Sequence, residues 1–81
     1  DYPTLIISHQ DVPGAVSNVT SILYKEHINI AFMKVFRKQR GKGATMVFEV
    51  DNRLNDDVID EIKGIDSISR VIRINPVKEE E

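Results

Sequence analysis

The residues best suited to chemistry in this chain sit on one short stretch, His9-Gln10-Asp11-Val12-Pro13-Gly14, with Asn29 fifteen residues beyond Gly14. The stretch carries an imidazole and a carboxylate on a polar elbow, and Asn29 adds an amide. The apolar pattern that begins at the elbow is helical. Pro13 fixes φ for a first helical turn and has no N–H to lose there, while Gly14 admits a close approach to the backbone. The elbow is therefore expected to be a helix N-terminus with free N–H donors, a place that suits a carboxylate or a phosphate. Each side chain also has a plainer reading. His9 fits a strand-end residue hydrogen-bonded to the backbone, and Asp11 fits an Asx-type turn or a helix cap.

Several kinds of chemistry are disfavoured. His9 and Asp11 could form an acid–base pair, but two titratable groups on a loop are a weak signal, and no triad, paired carboxylates or cofactor fingerprint appears. With no cysteine among 81 residues, disulfides, thiolate metal sites and cysteine-ligated iron–sulfur clusters are excluded within this chain. His9 and His27 stand at opposite ends of the first helical pattern and offer no close ligand spacing. Net charge is −2, which gives no nucleic-acid footprint. Phe32, Phe36 and Phe48 supply rings but not the motif of an RNA-binding sheet. The basic turn from Arg37 to Gly43 is the best argument for nucleic acid, through Arg37, Lys38, Arg40 and Lys42, yet such a run usually forms a solvated loop. No apolar run approaches the length of a membrane span. The composition fits a cytoplasmic protein, and the chain reads as a domain cut from a longer polypeptide, because a strand pattern starts almost at its first residue.

The elements that must position the elbow follow from periodicity. Thr4 to His9 reads as a strand, with Leu5 and Ile7 on one face and Ile6 on the other. From Pro13 to Glu26, Ala15, Val16, Val19, Ile22 and Leu23 fall at helical spacing. Ile30 to Lys38 and Ala44 to Val50 alternate around the glycine-containing turn, which predicts an antiparallel hairpin. Asn55 is a good N-cap for a short helix carrying Val58, Ile59 and Ile62 and closed by Lys63-Gly64. Ile68 to Asn75 reads as the last strand, with Ile68, Ile72 and Ile74 on one side, Val71 on the other, and Pro76 as its stop. Residues 78–81 read as a disordered tail or linker.

The order β-α-β-β-α-β predicts an α+β, ferredoxin-like sandwich: a four-stranded antiparallel sheet with two helices on one face. Phe32, Phe36 and Ile6 are expected on the other face, where a second copy would cover them. This fold hosts many functions and decides none by itself.

The elbow, the following Ile28-Asn29-Ile30-Ala31, then Met33, Arg37, the glycine turn and Ala44 with Met46, together resemble an ACT domain of the serine-binding kind, over residues 1–77. The resemblance is to the C-terminal ACT domains of iron–sulfur-dependent L-serine dehydratase β subunits, or of D-3-phosphoglycerate dehydrogenases. It implies a regulatory module without catalysis of its own, controlling an attached serine-metabolising enzyme. It also implies a homodimer through the first helix and first strand, giving one eight-stranded sheet. L-serine or another small amino acid would lie at the seam, held by His9, Asp11, Val12, Pro13 and Gly14 of one copy and by Asn29 and Ile30 of the other. No cofactor is implied in this fragment; a 4Fe-4S cluster belongs to the parent enzyme if that is the dehydratase. Where dehydrogenase relatives commonly carry asparagine, this chain has Asp11. The residues suit a zwitterion, with Asp11 accepting from an α-ammonium and His9, Asn29 and backbone N–H groups donating to an α-carboxylate. A dimerisation module without a ligand is the competing reading.

Overall fold

The computed structural model describes residues 2–37 and 43–77. The basic turn at 38–42 and the tail at 78–81 lie outside the described residues. Strands β1 (Thr4–Gln10), β2 (Ile30–Arg37), β3 (Gly43–Val50) and β4 (Ile68–Ile74) form one antiparallel sheet in the order β2-β3-β1-β4. Helices α1 (Ala15–Lys25) and α2 (Asp56–Lys63) cover one face, as the alternating patterns predict. Leu5, Ile7, Met46, Phe48 and Val50 from the sheet meet Val19 and Leu23 of α1 and Val58 and Ile62 of α2 in a single core. Asn55 caps α2 as expected, its side chain accepting from the Val58 N–H at 3.0 Å.

Two expectations change. The sheet order gives β1 hydrogen-bonded neighbours on both sides, β3 and β4. A second copy cannot extend the sheet through the first strand, since no backbone edge remains there. The free edges are β2 and β4. The second change concerns Ile68. Pairing of β1 with β4 slips between Ser8 and His9, so that Ser8 faces Arg70 while His9 faces Ile68. The slip turns Ile68 to the helix side, where it packs against the core with Val71. Ile72 and Ile74, opposite Ile6 and Thr4, stay on the other face.

That second face carries Phe32 and Phe36 with Ile6, as the alternation requires, and the two rings are about half exposed. Lys34 lies between them with its Nζ 5.0 Å from the Phe36 ring centroid, a cation–π distance.

The end of α1 sets the path to Asn29. His27 takes a left-handed conformation, φ 60°. Its N–H donates to the Tyr24 carbonyl at 3.0 Å, and the Ile28 N–H donates to the Leu23 carbonyl at 2.9 Å. These are the two bonds of a Schellman stop, and Ile28 and Leu23 supply its apolar contact. The stop buries Ile28 and leaves Asn29 exposed. A histidine occupies the position where glycine is unstrained. His27→Gly is expected to raise stability by about 1 kcal/mol, read as a higher midpoint in urea unfolding at unchanged slope.

Candidate functional site

His9 ends the inward-facing row of β1. After Leu5 and Ile7 it is the buried polar member, 3% exposed. It pairs with Ala44 on β3, and Ala44 in turn pairs with Arg37 on β2. His9, Ala44 and Arg37 thus form one row across three strands, with a small residue between two large polar ones. The His9 Nδ1 lies 2.8 Å from the Gln10 carbonyl oxygen. A carbonyl only accepts, so Nδ1 carries the proton, and in the neutral form of the ring Nε2 presents a lone pair. That nitrogen is buried and has no hydrogen-bond partner among the described residues. The strand-end reading of His9 is therefore half of the matter; its second nitrogen is left over. The Ser67 hydroxyl, on the residue whose carbonyl accepts from the Gln10 N–H, is likewise buried without a partner. Nothing in the sequence pattern marked Ser67.

The elbow differs from its expected form in one respect. The helix starts at Ala15 rather than at Pro13, and Gly14 is its N-cap with φ 86° and ψ −7°. The Ala15 N–H donates to the Val12 carbonyl at 3.2 Å. Proline followed by a left-handed glycine within that bond is a type II turn. Pro13-Gly14 specifies the turn, and the helix is entered from it. A Cβ on Gly14 would meet no atom within 4 Å, so backbone conformation rather than crowding calls for glycine. No side chain caps α1. The N–H groups of Val16 and Ser17 have no acceptor within the helix and lie at the elbow. Val12, Pro13 and Gly14 are exposed there.

Asp11 is an ion-pair member rather than a helix cap. Its Oδ2 accepts from the Arg37 Nε at 2.7 Å, and the Arg37 Nη2 stands at 2.7 Å from the same oxygen. The Asp11 side chain is largely covered and that of Arg37 about half exposed. From sequence, Arg37 reads as the start of a basic turn and as part of the family resemblance, with nothing to mark it as the partner of Asp11. The signal lay in topology: β1 and β2 both run antiparallel to β3, so the end of β2 comes level with the end of β1.

By the same topology Asn29 and Ile30 lie at the opposite end of the sheet. Ile30 pairs with Val50, and the Asn29 amide donates to Asp51 Oδ2 at 2.6 Å. They line a groove of about 470 Å3 with Thr20, Ser21, Tyr24 and Ile28, between α1 and the β2 edge. His9 lines a separate cavity of about 360 Å3 with Ser8, Phe36, Gly43, Ala44, Thr45 and Ser69. One chain therefore does not bring Asn29 to the elbow. Among the described residues no group of three or more acidic or histidine side chains could hold a metal ion, and no helix is long and apolar enough to cross a membrane.

The family model described as the ACT domain matches residues 3–67. This chain belongs to the ACT domain family. It is 34% identical over 74 residues to the probable L-serine dehydratase beta chain of Bacillus subtilis, covering 91% of this chain and 34% of that protein. It is 38% identical over 73 residues to the D-3-phosphoglycerate dehydrogenase of the same organism, covering 86% of this chain and 14% of that protein. The chain thus spans about a third or less of the curated relatives it matches. In fold it is similar to the ACT domain of the GTP pyrophosphokinase of Chlorobium tepidum, with TM-score 0.72, 18% identity, and 91% of this chain and 99% of that one covered. The small subunit of acetolactate synthase from Thermotoga maritima gives TM-score 0.69 at 17% identity, over 95% of this chain and 49% of that one. An ACT domain is a regulatory module and not a catalytic one.

Substitutions at two positions separate the roles of the elbow residues. Gly14→Ala is expected to cost about 1–2 kcal/mol through its positive φ alone, with Gly14→Asn costing less. His9→Leu removes one part-buried hydrogen bond to the Gln10 carbonyl, which still accepts from the Val12 N–H, but also a buried nitrogen with no partner among the described residues. Its stability is expected to match or exceed that of the original chain, by up to about 2 kcal/mol in denaturant unfolding. A loss instead would mean that Nε2 is satisfied in the folded chain.

Proposed function

We propose that this chain is an amino-acid-binding regulatory domain, with L-serine as its effector, that dimerises and controls an attached L-serine dehydratase catalytic region. The observation that carries the reading is the His9 Nε2, a buried nitrogen without a partner among the described residues, on the strand that leads through the elbow into a helix start with no side-chain cap. A buried polar group kept unsatisfied is a stability cost that a binding role explains. The lone pair accepts from the ammonium or hydroxyl of a small amino acid, while the Val16 and Ser17 N–H groups suit its carboxylate. His9 is thus an acceptor in this scheme, where the sequence alone suggested a donor. Because Nε2 is covered, a ligand that engages it must displace the elbow, and that displacement is the means of transmitting occupancy.

A second copy supplies the rest. The β2 edge is free and flanks the groove beside α1. A two-fold axis pairing β2 with its partner's β2, antiparallel, brings the start of one strand level with the end of the other. The partner's copy of the Asn29 amide then comes to the Arg37 end, next to the elbow. An effector touching both copies binds the pair more tightly than the single chain and stabilises it, and allosteric couplings of this kind are typically about 1–3 kcal/mol. The L-serine in the name of the dehydratase relative supports the effector and the parent. The higher identity to the dehydrogenase favours a second reading, in which the same module regulates that enzyme. If the parent is the dehydratase, any iron–sulfur cluster is held elsewhere in it, since this chain has no cysteine to offer.

Calorimetric titration of the 81-residue chain with L-serine, L-alanine, glycine and L-threonine tests the proposal, with sedimentation run alongside. L-serine is expected to bind and to shift the chain toward dimer. His9→Leu and Asn29→Ala should each weaken it at least about tenfold at unchanged circular dichroism, the loss of one or two hydrogen bonds to a charged ligand. Tyr24→Asp, a change on the exposed rim of the groove, should lower dimer content and affinity together. Binding that survives both site substitutions would put the ligand elsewhere, and a dimer without any binding would leave a module that only dimerises.

A further inference from the structure

We propose that Asp51 is a further effector-binding residue: brought with Asn29 to the elbow of the other copy, its carboxylate receives the ammonium of an amino acid whose own carboxylate lies at the helix N-terminus. The inference rests on the effector reading above and fixes which way round the effector lies.

A zwitterion calls for donors at one end of its site and a negative charge at the other. The elbow has the donors, in the Val16 and Ser17 N–H groups at the start of α1. Its own carboxylate, Asp11, is already engaged by the Arg37 guanidinium. A charge to match an ammonium stands instead at the opposite end of the sheet. There the Asp51 Oδ2 accepts from the Asn29 amide at 2.6 Å, and the Asp51 N–H donates to the Asn29 carbonyl at 3.0 Å. These two bonds clasp the end of β3 to the start of β2, so the carboxylate travels with Asn29. Among the described residues no cation forms an ion pair with Asp51, and Arg53, two residues on, donates to the Pro76 carbonyl at 2.8 Å. A neutral amide uses part of the carboxylate's accepting capacity without cancelling its charge, and Asp51 is exposed.

Pairing of β2 with its partner's β2 brings Asn29 to the elbow, and it therefore brings Asp51 too. Neither copy holds both halves of the site. The elbow of one copy takes the effector's carboxylate, the partner's Asp51 takes its ammonium, and the His9 lone pair is left to its hydroxyl. A molecule with a carboxylate and no ammonium would set its charge against that of Asp51 with nothing between them, and like charges so placed disfavour binding. Asp51 is in this sense the residue that selects an amino acid over a plain carboxylic acid.

The test compares L-serine with L-glycerate, which keeps the carboxylate and hydroxyl and carries a second hydroxyl in place of the ammonium. Calorimetric titrations use the 81-residue chain and its variants Asp51→Asn and Asp51→Glu, at concentrations where sedimentation shows the dimer. Asp51→Asn can still accept from the Asn29 amide and keeps the backbone bond, so it removes the charge alone. It is expected to weaken L-serine at least about tenfold, the loss of a charge-assisted hydrogen bond, while L-glycerate binds as well as before or better. Asp51→Glu keeps the charge and should keep the preference for L-serine. An equimolar mixture of His9→Leu and Asp51→Asn chains should regain the original affinity at about one site in four, since about half of the dimers are mixed and each of these holds one site with both halves intact. A carboxylate that only fastens β3 to β2, or only competes for the Asn29 amide, would move both affinities together and leave their ratio unchanged. That result, or a mixture with no restored site, would overturn the inference and leave the effector reading intact, as would an original chain that binds L-glycerate as tightly as L-serine. An original chain that binds neither compound would end the effector reading and this inference with it.

Discussion

The central place of β1 in the sheet is the constraint on which the rest depends. Flanked by β3 and β4, it sends every second side chain into the core, and Leu5 and Ile7 are fully buried there. His9 continues that row and so is carried under the elbow whatever its polarity. A central strand admits no slack in register, since a one-residue shift would exchange the buried and open faces. The imidazole is therefore held as firmly as a core leucine, although it contributes an unmatched nitrogen. The same arrangement leaves β2 at the edge, beside the helix that starts at the elbow. Site and edge are two results of one strand order.

Much of this was legible in the sequence, because two periodicities carry it. Alternation in the strands and three-and-four spacing in the helices named the elements, the core and the open face with its two phenylalanines. What escaped had causes that periodicity does not contain. The start of α1 was placed at Pro13 because proline suits a first helical turn, yet Pro13-Gly14 also spells a type II turn, and the left-handed glycine took precedence. Ile68 was given the wrong side because a slip in pairing between Ser8 and His9 offsets strict alternation. The first strand was named as a dimer element from resemblance, where strand order rules it out. Asp11 with Arg37 joins residues far apart in sequence, and only the parallel course of β1 and β2 across β3 brings their ends together.

The site residues divide along the same line. His9, Asp11 and Gly14 gather at one end of the sheet, and Asn29 and Ile30 lie at the other. Their types can be read from one chain, but their meeting requires a symmetry operation that a sequence does not state. On the proposed reading, a half-site at each end of the sheet is the arrangement that a two-fold axis completes twice, once per elbow. In the dimer proposed above, ligand and partner share a surface, and occupancy of one alters affinity for the other without any further device.

The unpaired margin of β2 also bears on solubility. From Ile30 to Phe36 the strand reads Ile-Ala-Phe-Met-Lys-Val-Phe, rich in β-favouring side chains and interrupted by a single charge, Lys34. Segments of that composition, with backbone donors and acceptors facing water, are templates for open-ended stacking between chains. Lys34 is the one built-in gatekeeper along it, and its ammonium lies over the Phe36 ring, placing a charge beside an apolar surface that would otherwise invite a neighbour. Whatever occupies this margin therefore also guards the protein against fibrous self-association, so that under the proposed pairing of copies, control and colloidal safety fall to the same seven residues.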